Sequence, residues 1–188
     1  MTLKGKLKAA MLILLALALV FAVAAFGFNA AIKMIYPLKY SEYVERYSAE
    51  FGVEKNLIYA VIKTESSFNP EAVSQADARG LTQITSETFE WLCSKLGENP
   101  DELSLFDPET SVKYGAFFLS YLLNEFGEKD TALAAYHAGR GRVNSWLGDK
   151  TVSPDGKTLA EIPVSDTAHY IKKVNKAYNV YNNLYKEG

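Results

Sequence analysis

The chain of 188 residues has a single cysteine, Cys93, and two histidines, His137 and His169. One cysteine cannot close an intrachain disulfide, and its use neither requires nor excludes an oxidising compartment. A cysteine-based zinc site is ruled out, two distant histidines make a poor metal set, and no metal is expected. There is no cationic excess: 20 Lys and Arg stand against 22 Asp and Glu, a net charge of −2. A basic footprint for nucleic acid is therefore missing. Apolar alternation of period two does not persist for long, and no internal repeat is visible, so sheets and solenoids are not indicated. With Cys93 far downstream, a lipid-modified cysteine near the N-terminus is excluded as well.

What is present begins with apolar residues. Lys4, Lys6 and Lys8 precede an uncharged run from Ala9 to Phe28. Twenty helical residues span about 30 Å, the thickness of a bilayer's hydrocarbon core. The basic flank predicts an N-terminus in the cytoplasm and the remainder outside, with Lys33 and Tyr36 at the outer interface. A second reading is a cleaved signal sequence, because Ala22-Val23-Ala24 has the small-x-small form of a signal-peptidase site. Either reading exports the rest of the chain. We therefore expect a segment 1–35 that serves as a single-pass membrane anchor or as a signal, and one domain over 36–188. That domain is long enough to bury a sizeable core.

After Tyr36-Pro37 the helix signals follow one another. Ser41 is placed to cap a helix that runs to Phe51 and stops at Gly52. A second covers about Lys55 to Ser66, ended by Asn69-Pro70, and a loop rich in Gly, Ala and Asp runs from Ala72 to Leu81. Ser86 caps a helix that ends at Gly97. Asp107-Pro108-Glu109 reads as cap, N1 proline and acidic first turn of a helix to about Phe126, stopped by Gly127. Asp130 caps the next, stopped at Gly139. Residues Gly148 to Pro163 read as a surface loop. A last helix starts at Ser165 or Asp166 and carries Tyr170, Tyr178, Tyr181 and Tyr185. The fold class is all-α, with room for minor β in the loops.

One carboxyl stands out. Ile58, Val61 and Ile62 precede Glu65 at seven, four and three residues and share its face of the helix. A carboxyl on an apolar stripe loses solvation, its pKa rises, and it stays protonated near neutrality. Glycosidic cleavage needs such a group, because the departing sugar oxygen must gain a proton. From spacing alone, a solvent-facing Glu at a helix end remains the alternative.

Glu65 does not stand by itself. Glu65-Ser66-Ser67-Phe68 is followed by Arg79-Gly80-Leu81-Thr82-Gln83-Ile84, then by Ala135-Tyr136-His137-Ala138-Gly139. Asp166-Thr167 with Tyr170, Ile171 and Val174 comes last. In this order and at these spacings the set resembles the lytic transglycosylase domain of the soluble lytic transglycosylase type, related to goose-type lysozymes. The resemblance covers about Tyr40 to Tyr185. It implies a lysozyme-like helical catalytic domain over 36–188, with Glu65 as the acid and base. It implies further that Ser66 and the segment Gly80, Leu81, Gln83 and Ile84 line the saccharide cleft, with the amide of Gln83 offered to sugar hydroxyls or N-acetyl groups. Tyr136, His137 and Ala138 join them, and Tyr170 directs its hydroxyl at Glu65.

Two positions depart from the pattern. His137 stands where the family has Asn, and serves either as a substrate donor or as a cap at the helix end. Asp166 replaces the usual Glu. Tyr136 can belong to the cleft or to the core, and Trp91 and Trp146 suit sugar stacking or packing, the latter for most of the aromatic residues.

Retaining and inverting glycosidases place two carboxylates across the bond. The resemblance supplies one, which implies internal attack by the muramic 6-hydroxyl, helped by the substrate N-acetyl group through an oxazolinium-like intermediate. The product is a 1,6-anhydro sugar and no cofactor is needed. The expected activity is therefore that of a peptidoglycan lytic transglycosylase, cleaving the β-1,4 bond between N-acetylmuramic acid and N-acetylglucosamine. The expected partners are glycan strands and, through the N-terminal helix, the membrane. A hydrolytic lysozyme with Asp77 or Asp166 as second carboxylate, and an inactive glycan-binding scaffold, are the other readings.

Overall fold

The computed structural model describes residues 3–185, with side chains from residue 11 onward except at 13. The chain divides into two compact units, Met1–Pro37 and Leu38–Gly188. The first is one helix, α1 (Leu3–Ile35). Within it Leu14–Ile35 is long and apolar enough to cross a membrane, and its described side chains are exposed almost throughout. Residues such as Leu14, Leu17, Phe21 and Phe26 are exposed.

The second unit is helical: α2 (Ser41–Phe51), α3 (Lys55–Glu65), α4 (Ser86–Leu96), α5 (Pro108–Phe126), α6 (Lys129–Ala138), α7 (Arg140–Gly148) and α8 (Ser165–Leu184). Among the described residues minor β is confined to two isolated antiparallel bridges, Val73 with Arg79 and Arg79 with Ile84. The helix α3 is central. Six consecutive residues, Leu57 to Ile62, are buried, so its apolar character extends beyond the one face read from Ile58, Val61 and Ile62. Burying each of the large side chains contributes roughly 1.5–3 kcal/mol. Its main neighbour is α8, which turns Tyr170, Ile171, Val174, Ala177 and Tyr181 inward. Tyr59 and Tyr181 stack across this contact at 5.4 Å. On the other side α5 packs between α2 and α6.

Local chemistry sets the helix ends, in part at other residues than the sequence suggested. Asp107 caps α5 as expected, accepting from the Thr110 amide at 2.8 Å. Thr85, not Ser86, caps α4, and Glu128, not Asp130, caps α6 by accepting from the Thr131 amide at 2.8 Å. Asp130 instead accepts from the Asn175 side chain at 2.8 Å, which links α6 to α8. Ser41 makes no cap bond, because Tyr40 enters α2 from the left-handed region. Two elements were not anticipated. One is a single 3-10 turn at Pro100–Glu102, and the other is α7, which buries only Val143. The Gly148–Pro163 segment is loop as expected, held by its own turns: Asp155 accepts from the amides of Lys157 and Thr158 at 2.8 Å.

Candidate active site

Glu65 is the last residue of α3. The next residues must leave the helix sharply, and Ser67 and Phe68 do so with φ of 50° and 66°. Left-handed backbone is unfavourable for residues with a Cβ. It is held here because Phe68 is buried against Tyr59 and because Ser66 bridges outward. The Ser66 hydroxyl donates to the Leu81 carbonyl at 2.9 Å, fastening the end of α3 to the Gly80–Ile84 segment.

That segment is fixed by close packing. A Cβ at Gly80 would lie 1.9 Å from the Leu105 carbonyl oxygen, and Gly80 has φ of 74°; only glycine fits. Leu81 is fully buried. Thr82 donates through its hydroxyl to the Ser111 carbonyl on α5 at 2.8 Å. Its methyl group sits where Gly115 has no side chain: a Cβ there would come within 2.4 Å. Gln83, itself left-handed at φ 51°, donates its amide nitrogen to the carbonyls of Ala72 and Gly80, both at 3.0 Å. The amide hydrogens expected to meet sugar are therefore used within the loop, and the amide oxygen is the group left for a ligand.

From the other side comes α6. Tyr136 is buried, packs on Phe118 with ring centroids 5.0 Å apart, and donates its hydroxyl to the Thr82 carbonyl at 2.7 Å. It is at once a core and a cleft residue. His137, exposed in the last turn of α6, brings Nδ1 to 3.2 Å from the Thr167 hydroxyl and stacks on Tyr170 at 4.6 Å and 27°.

Together these residues enclose a cleft of about 250 Å³. Of the expected residues, Glu65, Gln83, Ile84, Tyr136 and His137 line it. Ser66, Gly80, Leu81, Ala138 and Tyr170 do not; they stand behind its wall. Thr85, Thr88, Phe118, Ser74 and Ala78 also line it and were not singled out from the sequence. Neither were Thr82, Ser111 and Gly115, which lock the loop. A glycine inside the long helix α5 was the legible sign, since such a glycine costs stability unless close packing requires it. A second, separate hollow of about 290 Å³ shares Thr88, Phe118 and Tyr136 with the first and is lined besides by Glu87, Trp91 and Arg140.

The electrostatics centre on Glu65. Its carboxyl is the only carboxylate lining the cleft among the described residues. Burial against apolar neighbours pushes its pKa up to about 7, opposed in part by the Tyr170 hydroxyl. That hydroxyl is buried near Glu65 and favours its anion while completing no hydrogen bond of normal geometry. Asp77, a candidate second carboxylate, is held by Arg79 through two hydrogen bonds at 3.1 and 2.8 Å. Asp166 does not line the cleft, although its charge reaches His137.

A helical lobe around a cleft with one desolvated carboxyl at the end of a buried helix is a lysozyme-like fold. The 70 kDa soluble lytic transglycosylase of Escherichia coli superposes with a TM-score of 0.71 at 28% identity, over 82% of this chain and 26% of that one. The lytic transglycosylase Slt of Pseudomonas aeruginosa does so at 0.69 and 27%, over 81% and 25%. The soluble lytic murein transglycosylase of Escherichia coli (strain K12) is 34% identical over 152 residues, 78% of this chain and 23% of that protein. Membrane-bound lytic murein transglycosylase C of Yersinia pestis (strain Pestoides F) is 35% identical over 168 residues, 76% of this chain and 46% of that protein. The chain thus spans about a quarter of the first relative and under half of the second. The transglycosylase SLT domain matches residues 42–158, and the chain belongs to that family.

Proposed function

We propose that the protein is a peptidoglycan lytic transglycosylase, cleaving the β-1,4 bond between N-acetylmuramic acid and N-acetylglucosamine and leaving 1,6-anhydromuramic ends. The observation that carries this reading is Glu65: one carboxyl, the only one lining the cleft among the described residues, poised near neutrality by burial. In its protonated form it gives its proton to the glycosidic oxygen as the bond to the anomeric carbon breaks and the electron pair leaves on that oxygen. The anion then takes the proton of the muramic 6-hydroxyl as that oxygen bonds to the anomeric carbon. Atoms balance without water and without a cofactor. The nucleophile belongs to the substrate, so proximity replaces the second carboxylate. Tyr170 tunes Glu65 from behind the wall, and Gln83, Ile84, Tyr136 and His137 hold the sugars. The names of the relatives, murein transglycosylases soluble and membrane-bound, agree with this substrate.

Hydrolysis on the same fold would need a second carboxylate to place water. The engagement of Asp77 by Arg79, and the position of Asp166 away from the cleft lining, argue against it. Digestion of peptidoglycan in ¹⁸O-labelled water tests the choice. Anhydro ends without label are expected, because an intramolecular nucleophile has an effective concentration on the order of 10⁵ M or more. Labelled reducing ends would assign hydrolysis.

We propose further that α1 anchors the domain on the extracytoplasmic side. The length and apolarity of Leu14–Ile35 and the flank Lys4, Lys6 and Lys8 support this. Protease added to wall-stripped cells should digest the domain. Protection until lysis would reverse the topology, and a mature chain beginning near Ala25 would make α1 a signal.

A further inference from the structure

His137 is the only residue lining the cleft that can carry positive charge: no Lys or Arg lines it among the described residues. An amide side chain at this place would neither titrate nor stack as a ring. In this chain the imidazole lies over the Tyr170 ring at 4.6 Å, with Nδ1 at 3.2 Å from the Thr167 hydroxyl. Thr167 is almost fully buried in the first turn of α8, so this partner fixes the ring plane. The face of Tyr170 is thereby covered by a titratable ring, while its hydroxyl lies near Glu65. The stack joins the two ionisable groups of the cleft through one buried side chain.

We propose, resting on the glycan-cleaving reading above, that His137 is a positioning residue that works only when neutral, and that its protonation switches the cleft off on the acid side. Two physical effects act in the same direction. Cleavage builds oxocarbenium-like positive charge at the anomeric carbon, and an imidazolium in the same cavity of about 250 Å³ opposes that charge. The same cation also stabilises the Glu65 anion, and so disfavours the protonated acid from which the reaction starts.

The groups facing His137 determine where the switch falls. Glu65 on α3 lines the same cleft, Tyr170 on α8 stacks on the ring and the charge of Asp166 reaches it, and Tyr136 precedes it on α6. Phe118, from α5, brings no charge. Arg140 on α7 is engaged by Glu125 at 2.5 Å. Partial desolvation of the ring, in a residue that keeps much of its surface exposed, holds the imidazole below its ordinary range, and Asp166 draws it partly back. Charging therefore occurs on the acid side of neutrality. Glu65, by contrast, loses its proton around 7. Activity is confined between the two ionisations.

The test is the pH profile of kcat/KM on isolated glycan strands, each enzyme normalised to its own maximum. The wild type is expected to show a bell, with an acid limb that falls tenfold per pH unit and a midpoint that coincides with the titration of the His137 ring followed by NMR. There are two histidines in the chain, and the signal lost in His137→Asn identifies the relevant one. His137→Asn and His137→Gln should both lose the acid limb and keep the basic one. His137 is exposed, so folding is not at stake, and agreement between two non-titrating variants guards against a local defect of either. An acid limb that persists in both variants, or a His137 titration lying a full pH unit from the limb, overturns the proposal. Failure of the parent reading would appear elsewhere, as solvent oxygen in the new ends or as activity that survives Glu65→Gln.

Discussion

The hydroxyl of Tyr136 on α6 donates to the main-chain carbonyl of Thr82 at 2.7 Å, so two cleft walls distant in sequence are held by one bond. Thr82 is itself fastened to α5 through Ser111. Tyr136→Phe keeps the ring contact with Phe118 and removes this bond, leaving a buried carbonyl without its partner. The expected cost is about 1–3 kcal/mol, read as a shift in the midpoint of chemical denaturation with unchanged slope. Because the bond positions the Gln83–Ile84 wall, KM should rise by a larger factor than kcat falls. A variant with wild-type stability and kinetics would detach Tyr136 from this role.

Glu65→Gln is nearly isosteric and lacks the transferable proton. Activity should fall by roughly 100-fold or more, with the far-UV spectrum unchanged. Its effect on stability has a definite sign. Burial pushes Glu65 up to about 7 in the folded chain, well above the ordinary carboxylate range, so the folded state binds the proton more tightly. The contribution of Glu65 to stability is then fully present below about 4.5 and is lost as pH rises through about 7. Gln does not ionise, and the variant escapes this decline. Relative to the wild type it should gain stability between about pH 4.5 and pH 8, by on the order of 3 kcal/mol. Parallel stability curves for the two proteins would show that Glu65 is not desolvated in solution.

Gly80 and Gly115 test the loop lock independently of catalysis. An alanine Cβ at Gly80 meets the Leu105 carbonyl at 1.9 Å on left-handed backbone, and one at Gly115 meets the Thr82 methyl at 2.4 Å. The Leu105 contact is with backbone and cannot rotate away, whereas Thr82 can turn at the expense of its bond to Ser111. Gly80→Ala should therefore be the more damaging, at roughly 2–4 kcal/mol, and Gly115→Ala should cost roughly 1–3 kcal/mol. Thermal unfolding of the two variants checks the order.

These residues also mark how far the sequence could be read. The Asp107-Pro108-Glu109 start of α5, the stops at Gly52, Gly97 and Gly127, and the apolar stripe leading to Glu65 are local signals, and local signals survive folding. Thr85 and Glu128 were missed as caps because neighbouring Ser86 and Asp130 carry equally suitable oxygens, and only backbone geometry decides between them. The helix α7 carries little signal because Gly139 and Gly141 flank and interrupt its start, and the element buries a single side chain, Val143. In the cleft, motif residues with a polar or acidic end were legible. Thr88 and Phe118, on helices that no motif marks, reach the cleft only through tertiary packing. Motif membership does not by itself put a residue on the cleft lining: Gly80 gives the wall a close backbone approach and Leu81 a core anchor.

Tyr170 separates a structural role from a chemical one. From the sequence, its hydroxyl was expected to hydrogen-bond Glu65, and Tyr170→Phe would then cost about 1 kcal/mol. In the structure the hydroxyl is buried beside Glu65 without a hydrogen bond of normal geometry, so its removal deletes a polar contact weaker than a full hydrogen bond. Tyr170→Phe should leave stability unchanged or raise it slightly, and the ring contact with His137 is kept. The catalytic effect has the opposite character. The hydroxyl holds the Glu65 pKa below the value burial alone would give, so its loss should move the Glu65 ionisation upward. The basic limb of the kcat/KM profile then shifts to higher pH, while the anion that must accept the 6-hydroxyl proton loses a stabilising neighbour and kcat falls. A basic limb that stays in place, with kcat unchanged, would return Tyr170 to plain packing between α8 and His137.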